Sequence, residues 1–444
     1  MKIGYISLGC SKNLVDTEMM IGLFEKNGFE TVNEPSKADV ILINTCGFIE
    51  SAKQEAINTI LEMCEYKKKH CQYVIATGCL VKRYQEELKK AIPEVDLWIG
   101  CHAYETFWKE VSTILPNTNK EDDLKYEERR ITTGDKTAYL KIAEGCSNHC
   151  TYCAIPSIRG SFVSRQQDEI VKEAKMLVDK GIEELIVIAQ DTTKYGIDLY
   201  GEPRLASLLK ELEEIPKLKW IRFLYSYPET ITEELIKTVK NSKKICHYFD
   251  IPIQHIANPV LKRMNRHSDG ESIRNVINKI RNEIPDVILR TTVMVGFPGE
   301  TKEDFEELYD FIKEVKFDKL GAFAYSKEEG TPAEKLNGHI HPQTKKKRYN
   351  QIMALQQEIS KAKLQEKIGK VYTVLIEGIS FDKKYYIGRT YMDVPDMDGV
   401  VFIENKGKET DKLGQFVECK IVDIREYDLI GEEISCINRH NMVK

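Results

Sequence analysis

The chain has 444 residues, and at roughly 100–200 residues per domain this length predicts about three domains. Its 42% hydrophobic and 30% charged residues exclude a disordered chain, and the lack of any run near ~20 apolar residues predicts a cytoplasmic protein without a membrane partner. The formal net charge of −5 at pH 7 excludes a general electrostatic attraction to nucleic acid.

Residues 1–113 alternate short apolar runs with amphipathic helical stretches. The runs are "KIGYISLGC", "DVILINTC", "QYVIATGC" and "VDLWIGC". This alternation predicts buried parallel strands joined by crossover helices, which is a doubly wound α/β domain. Each run ends in a cysteine, and the four are Cys10, Cys46, Cys79 and Cys101. Because the carboxyl ends of parallel strands share one edge, where ligands bind, we expect these thiols to converge.

Two further domains are predicted. Residues 114–136 are polar and poor in apolar periodicity, which predicts a linker. Residues 137–366 carry six apolar runs, from "AYLKIAEGC" to "KLGAFAYSKEEGT", and predict a partial (βα)6 barrel whose working face lies at the carboxyl ends of its strands. Residues 367–440 contain short alternating runs with Gly, Asp and Pro turns, which predict a small antiparallel, OB-like β-barrel.

The stretch "EGCSNHCTYCAIPSIRG", residues 144–160, places Cys146, Cys150 and Cys153 directly after the first barrel strand. Cytosolic thiols stay reduced, so clustered cysteines indicate metal ligands before disulfides. A structural zinc site needs four ligands, and His149 would have to supply the fourth from its place beside Cys150. A cubane iron–sulfur cluster fits better, because three thiolates leave one iron open for a substrate or cofactor.

The C-x3-C-x2-C spacing, with the aromatic Tyr152 before the last cysteine, resembles the radical S-adenosylmethionine (SAM) superfamily. The resemblance implies a 4Fe-4S cluster on these cysteines, with SAM bound at the open iron and cleaved by one electron to a deoxyadenosyl radical. It also implies SAM contacts at later strand ends, by Gln190, Asp191, Gln254, His255 and Gly296. Each of these five residues is equally compatible with an ordinary turn or helix cap.

The entire chain resembles the radical-SAM methylthiotransferase family, in which a cluster domain, a radical barrel and a TRAM barrel follow in this order. The resemblance implies that Cys10, Cys46 and Cys79 hold a second 4Fe-4S cluster. Glycines flank these cysteines in "LGC", "TCG" and "TGC" and leave backbone room for a bulky inorganic ligand. Cys101 either competes for the open iron of this cluster or is a buried core thiol, and the second reading is favoured.

The family acts on adenosine in transfer RNA or on an aspartate of the small-subunit ribosomal protein near the decoding centre. The first cysteine stands in "SLGCSKNLVDTE", which resembles the ribosomal-protein branch, whereas the transfer-RNA branch more often reads "TFGCQMN". From Lys370 to Arg439 there are ten basic and fourteen acidic residues, so this domain should repel phosphates and attract a basic protein. The acidic turn with Asp393, Asp396 and Asp398 either contacts such a partner or is a solvated hairpin.

These resemblances predict an enzyme that inserts a methylthio group at the β-carbon of that aspartate. A second SAM would supply the methyl group, and a protein such as a flavodoxin would supply electrons. Two alternatives stay open: a transfer-RNA adenosine methylthiotransferase, and a non-catalytic iron–sulfur protein that binds RNA or carries electrons. Modification of transfer RNA alone would favour the first alternative, and cleavage of SAM would exclude the second.

Overall fold

The computed structural model describes residues 1–101, 103, 105–115, 123–405 and 412–434. Its N-terminal domain alternates strands and helices. The elements are β1 (Lys2–Ser7), α1 (Ser11–Lys26), β2 (Glu30–Thr31), β3 (Val40–Thr45), α2 (Glu50–Cys64), β4 (Tyr73–Gly78), α3 (Cys79–Ala91), β5 (Leu97–Gly100) and α4 (Phe107–Val111). The strands pair in parallel in the order β2-β1-β3-β4-β5, which confirms the predicted sheet and adds the two-residue edge strand β2.

Helices cover both faces of this sheet. Apolar side chains of α1 and α4 pack on one face, and those of α2 and α3 pack on the other. All six residues of β3 are buried, which explains why its sequence is almost uninterrupted by polar side chains. In this strand order the connections change sides between β1 and β3, so the ligand crevice lies beside the residues that follow those two strands.

The central domain is longer than the N-terminal domain. It contains two short strands, β7 (Ala143–Glu144) and β8 (Val163–Ser164), that the sequence does not predict. Its elements are β6 (Thr137–Lys141), β7 (Ala143–Glu144), α5 (Ile155–Arg159), β8 (Val163–Ser164), α6 (Gln167–Asp179), β9 (Glu184–Ile188), α7 (Ile197–Tyr200), α8 (Leu205–Glu213), β10 (Trp220–Phe223), α9 (Glu233–Asn241), β11 (Tyr248–Asp250), α10 (Asn258–Arg263), α11 (Gly270–Glu283), β12 (Ile288–Val295), α12 (Lys302–Val315), β13 (Lys319–Ala324) and α13 (Pro342–Gln365).

Six of these strands run in parallel and follow one another in chain order around an open barrel. Strands β6, β9 and β10 form one hydrogen-bonded sheet, and β11, β12 and β13 form the next. A single bridge between Ile221 and Ile245 joins the two sheets. The predicted partial (βα)6 barrel is therefore confirmed, with the antiparallel pair β7–β8 inserted after the first strand.

The C-terminal domain is a closed five-stranded barrel. Its strands are β14 (Val371–Ile379), β15 (Tyr385–Arg389), β16 (Val401–Glu404), β17 (Phe416–Arg425) and β18 (Asp428–Glu433), in the order β14-β15-β16-β18-β17. The prediction of an antiparallel barrel is wrong for one pair, because β16 and β18 run in parallel. A closed ring with an odd number of strands cannot alternate direction throughout, so at least one pair must be parallel.

This barrel docks on the amino ends of the central strands. The first residues of five strands contact it, and they are Thr137, Glu184, Trp220, Tyr248 and Lys319. Arg389 of β15 is buried and pairs with Glu184 at 2.6 Å, and Arg222 pairs with the same carboxylate at 3.2 Å. The C-terminal barrel therefore closes the end of the central barrel that lies opposite the strands' carboxyl ends.

Two aspartates of the acidic turn belong to this docking surface. Asp393 is buried and accepts from Lys319 at 2.7 Å, while Asp398 accepts from the hydroxyl of Tyr248 at 2.8 Å. Both interpretations offered for Asp393 and Asp398 are therefore wrong, since neither is free for a partner nor part of a solvated hairpin. Asp396 is exposed, with a left-handed φ of 59°.

The connection before the central barrel is held to both neighbouring domains at Arg129. Arg129 is buried and pairs with Glu18 of α1 and with Glu173 of α6, the latter at 2.9 Å. Residues 116–122 of the predicted linker lie outside the described residues, and the boundaries 1–113, 114–136, 137–366 and 367–440 stay predictions. None of the described helices is long and apolar enough to cross a membrane.

Candidate active site

Cys10, Cys46 and Cys79 follow three neighbouring strands of the N-terminal sheet, β1, β3 and β4. Cys10 precedes the first turn of α1, Cys46 lies in the loop after β3, and Cys79 begins α3. Burial raises the pKa of Cys46 to about 11, and the nearby thiols of Cys10 and Cys79 act in the same direction. The structure therefore brings these three predicted residues together at one edge of the sheet.

Glycines allow the loops that carry these cysteines to approach each other. At Gly9, which has a φ of 89°, a Cβ would lie 2.7 Å from Cys46 Cβ and 2.9 Å from Cys46 Sγ. At Gly78, which has a φ of 101°, a Cβ would lie 2.3 Å from Asn44 Oδ1. Both the space and the left-handed backbone require glycine at these positions. The glycines that flank the cysteines in the sequence thus serve the convergence of the thiols.

Cys79 has two hydrogen-bond donors beside its sulfur. The first is the thiol of Cys101, and the second is Arg159, whose Nε lies 3.4 Å from Cys79 Sγ. Both donors lower the pKa of the Cys79 thiol, and Cys101 has the larger effect. They outweigh burial, which alone would raise this pKa. The deprotonated thiolate is the form that binds iron, so these surroundings fit a ligand role for Cys79.

Cys146, Cys150 and Cys153 lie together in the loop after β7. The amide of Ile155 lies 3.5 Å from Cys153 Sγ, and Cys150 Sγ lies 4.0 Å from the hydroxyl oxygen of Tyr227. Burial raises the pKa of Cys153 to about 12, and the neighbouring Cys150 and Cys146 add to the effect. A bound metal would remove these protons, since coordination favours the thiolate strongly. The second predicted set of cysteines therefore also comes together.

The loop with this second set is fastened to the carboxyl end of β9. Asn148, which lies inside the loop, donates to Asp191 at 2.8 Å and accepts from Lys194. Asp191 is fully buried and also accepts from Thr193 at 2.8 Å. Its carboxylate therefore holds the cysteine loop in place, and its predicted role in SAM binding stays a prediction.

Arg159 joins the N-terminal domain to the central domain beside Cys79. It ends the short helix α5, six residues after Cys153, and its side chain is buried. Its Nη1 donates to Glu144 at 3.0 Å and its Nη2 donates to Asp16 at 3.0 Å, while its Nε faces Cys79. One guanidinium thus contacts α1 and α3 of the N-terminal domain and β7 of the central domain at the same time.

Gln190 and His255 have polar atoms without a hydrogen-bond partner among the described residues. Gln190 Nε2 donates to Glu144 at 2.8 Å, and its Oε1 is left unpaired. His255 Nδ1 accepts from the amide of Ala257 at 3.0 Å, so Nε2 carries the proton; it has no hydrogen-bond partner and lies 3.7 Å from Glu300 Oε2. Burial lowers the pKa of His255 to about 3 and keeps the ring neutral. Unpaired buried polar atoms at two strand ends fit the binding of a polar cofactor.

The other three predicted cofactor contacts lie at the same end of the barrel. Gln254 has a left-handed φ of 67°, which is unusual for a residue other than glycine. The amide of Gly296 donates to Glu300 at 2.6 Å, and the ring of Tyr152 packs edge-on against Phe297. Their roles in SAM binding stay predictions.

The arrangement fits a cubane cluster better than a zinc ion. His149 is exposed, and its carbonyl accepts from Asn265 at 3.0 Å. Within the described ranges, no three His, Cys, Asp or Glu side chains converge to hold a single ion. The thiolates of a cubane bind different irons and need not meet at one point.

Some residues of the site have no signature in the sequence. Lys12 Nζ lies 3.2 Å from the ring centre of Tyr225, and the guanidinium of Arg266 lies 4.3 Å from that of Tyr227. Both contacts join segments that are far apart in the chain, so no local pattern indicates them. Arg159 had a partial signal, because it lies in the stretch "AIPSIRG" that continues the second cysteine motif.

We expect replacement of Cys101 by serine to leave the iron content and the paramagnetic resonance spectrum of a cluster on the N-terminal set nearly unchanged. Cys101 is buried, with its sulfur beside Cys79 and 3.3 Å from the carbonyl oxygen of Ile158, and a serine hydroxyl can supply the same single donor. Cys101→Ala removes the donor beside Cys79 and should shift the spectrum without loss of iron. Loss of iron in the serine variant would instead identify Cys101 as a ligand.

Three sequence profiles match the chain in the order of its domains. Residues 2–100 match "Uncharacterized protein family UPF0004", residues 140–312 match the Radical SAM superfamily, and residues 368–434 match the TRAM domain. The radical SAM match implies a 4Fe-4S cluster and SAM. In fold, the chain resembles the radical S-adenosylmethionine methyltransferase TsrM of Kitasatospora setae, with a TM-score of 0.54, 11% identity, and coverage of 81% of this chain and 88% of that one.

Much closer sequence relatives exist among bacterial proteins. The chain is 62% identical to the ribosomal protein uS12 methylthiotransferase RimO of Alkaliphilus oremlandii over 97% of this chain and 99% of the relative. It is 51% identical to the RimO of Clostridioides difficile, over 97% of this chain and 98% of the relative. The identity extends through all three domains, and the chain therefore belongs to the ribosomal protein uS12 methylthiotransferase family, RimO.

Proposed function

We propose that this protein is a radical-SAM methylthiotransferase that adds a methylthio group to the β-carbon of an aspartate in ribosomal protein uS12. The observation that carries the proposal is that the two sets of three cysteines lie on neighbouring segments of the fold. Cys79 of the first set belongs to the same buried cluster as Ala154, which directly follows Cys153 of the second set. A radical centre and a sulfur source would therefore face the same substrate.

The barrel set of cysteines would hold the cluster that binds SAM. Cys146, Cys150 and Cys153 each provide a thiolate, and Asp191 fixes their loop through Asn148. The bound 4Fe-4S cluster and SAM supply the one-electron chemistry that activates the substrate carbon. The unpaired atoms of Gln190 and His255 would bind polar groups of SAM, and Tyr152, Gln254 and Gly296 would complete its pocket.

The N-terminal set would hold the second 4Fe-4S cluster, which presents the sulfur. Cys10, Cys46 and Cys79 provide its thiolates, and the three-cysteine set leaves one iron open for a sulfur ligand. Arg159 places a positive charge beside Cys79 and thereby offsets part of the negative charge of the thiolates. Two carboxylates, Glu144 and Asp16, hold the guanidinium in this position.

The partners follow from the charge of the C-terminal barrel and from the relatives. Ten basic and fourteen acidic residues between Lys370 and Arg439 favour a basic protein such as a ribosomal protein over transfer RNA. Reduced thiols in both sets favour a cytoplasmic location, where a flavodoxin-like protein would supply electrons. A transfer-RNA substrate and a role as a non-catalytic iron–sulfur carrier remain the alternatives that experiment must separate.

The substrate assignment is tested by anaerobic turnover with three substrates in parallel. The reconstituted protein is given SAM, a sulfide source and a reductant, together with isolated uS12, small ribosomal subunits or transfer RNA. We expect mass spectrometry to detect one methylthio group on an aspartate of uS12 and no change in transfer RNA. Modified adenosine with unmodified uS12 would contradict the proposal, and an absence of SAM cleavage would favour the non-catalytic carrier. Cys150→Ala is the inactive control.

A further inference from the structure

Lys12 is a buried cation that faces no carboxylate. It lies in the first turn of α1, two residues after Cys10, and it is 7% exposed. Its Nζ sits 3.2 Å above the centre of the Tyr225 ring. In the described part of the chain, no carboxylate oxygen lies within 4 Å of this nitrogen. A buried charge without a counter-ion is costly, so a ligand charge at this position would be favourable.

The other buried lysines of the described chain are paired. Lys53 is 8% exposed and also lies above a tyrosine ring, that of Tyr84, yet it pairs with Glu50 at 2.6 Å and with Glu328 at 3.6 Å. Lys141 pairs with two carboxylates, Asp16 and Glu144. Lys12 therefore differs from the other two buried lysines, each of which has a carboxylate partner.

Tyr225 is held in a strained conformation beneath Lys12. Its φ of 63° is unusual for a bulky residue, and two hydrogen bonds maintain it: its amide donates to Asp250 at 2.9 Å, and its carbonyl accepts from the amide of Thr192 at 3.1 Å. Strain of this kind persists where the surrounding structure enforces it and is concentrated at functional sites. The strained backbone carries the tyrosine ring to the N-terminal domain.

The pair adjoins both sets of cysteines along the chain. Lys12 follows Cys10 of the first set, and Tyr225 precedes Tyr227, whose hydroxyl oxygen lies 4.0 Å from Cys150 Sγ of the second set. A substrate carbon that reacts with a radical from one side and a sulfur from the other must occupy this region. An anionic group next to that carbon would then meet the charge of Lys12.

We infer that Lys12 binds the side-chain carboxylate of the aspartate that the enzyme modifies. The inference rests on the proposed function, because the β-carbon of aspartate is bonded directly to its carboxylate. The ammonium group of Lys12 forms a charge-assisted hydrogen bond with that carboxylate, and the Tyr225 ring holds the lysine side chain in place. Lys12 thereby selects an acidic target residue over a neutral one.

The test measures binding and needs no turnover. The reconstituted full-length protein is titrated anaerobically, without reductant, with uS12 and with a uS12 variant in which the target aspartate is asparagine. Wild-type protein should prefer the aspartate form by about 10- to 100-fold, the range for a hydrogen bond to a charged group. Lys12→Met should bind both forms within about 3-fold of each other, and Lys12→Gln provides a second neutral side chain.

The control is Lys53→Met, which removes an equally buried lysine and should retain the wild-type preference. Lys53→Met should also keep the iron content and the SAM cleavage of the wild type without substrate, and the same two measurements in the Lys12 variants detect loss of a cluster. If Lys12→Met and Lys12→Gln keep the preference for aspartate, the inference is overturned while the proposed function stands. Weaker SAM binding in these variants, with the preference intact, would assign Lys12 to SAM instead. A wild-type protein that binds no uS12 would overturn both proposals.

Discussion

Cys150→Ala should lose about half of the iron of the reconstituted protein and all of its SAM cleavage. Two sets of three cysteines imply about eight irons per chain, four on each set. Cys150 belongs to the barrel set, whose open iron would hold SAM, so its loss removes that site. Cys46→Ala should lose the other half of the iron and still cleave SAM, because Cys46 lies in the N-terminal set.

Iron analysis, paramagnetic resonance and detection of deoxyadenosine measure these outcomes. Cys64→Ala is the matched control, since Cys64 is a buried thiol in the apolar core between α2 and the sheet and should keep all of the iron. If either active-site variant loses all of its iron, the two sets are not independent. Retention of full iron by both variants would remove the cysteines from the cluster assignment altogether.

Arg389→Ala should destabilise the protein by about 3–5 kcal/mol, the usual effect of leaving a buried charge unpaired. Arg389 and Glu184 are both buried and pair at 2.6 Å across the boundary between the C-terminal and central barrels. Burial alone would raise the pKa of Glu184, but Arg389 and Arg222 hold it below its ordinary value. This carboxylate therefore stabilises the fold above its unfolded pKa, and the contribution is lost as the pH falls through the lower folded value.

The midpoint of denaturant unfolding at neutral pH measures this effect. The triple variant Arg389→Met, Arg222→Met and Glu184→Met removes the carboxylate and both of its buried cations and should recover much of the loss, since apolar side chains of similar volume often replace buried ion pairs well. Lys384→Ala is the surface control, because Lys384 and Asp382 form an exposed pair and should contribute less than about 1 kcal/mol. An Arg389→Ala midpoint equal to that of Lys384→Ala would contradict the prediction.

The sequence predicts the three-domain fold well because the apolar residues of each domain recur at the spacing of helices or strands. Four apolar runs that end in cysteine indicate the carboxyl edge of the N-terminal sheet, where the structure brings Cys10, Cys46 and Cys79 together. The motif around Cys146 and Cys150 forms the second set in the same manner. Cys101 follows the fourth apolar run of the N-terminal domain. It is buried in the same cluster as Cys79.

Other features depend on contacts between distant segments and have no local pattern. Arg159 reaches Cys79 across 80 positions of the chain, and Lys12 reaches the ring of Tyr225 from the opposite domain. The aspartates of the acidic turn look solvated in the sequence, but Asp393 is buried because Lys319 lies opposite it in the fold. The roles of the cysteines as cluster ligands and of Gln190 and His255 as SAM contacts stay predictions.

The C-terminal barrel sits at the amino ends of the central strands, and this position limits how a substrate can use it. Strand β12 runs for eight residues from that end to the mouth where the cysteines lie, and at about 3.3 Å per residue it spans about 26 Å. A partner held by the C-terminal barrel must extend over this height to place an aspartate in the mouth, which takes about eight residues of extended chain. A short peptide around the target aspartate would contact only the mouth of the central barrel. A folded protein or a ribosomal particle is large enough to contact both the mouth and the C-terminal barrel.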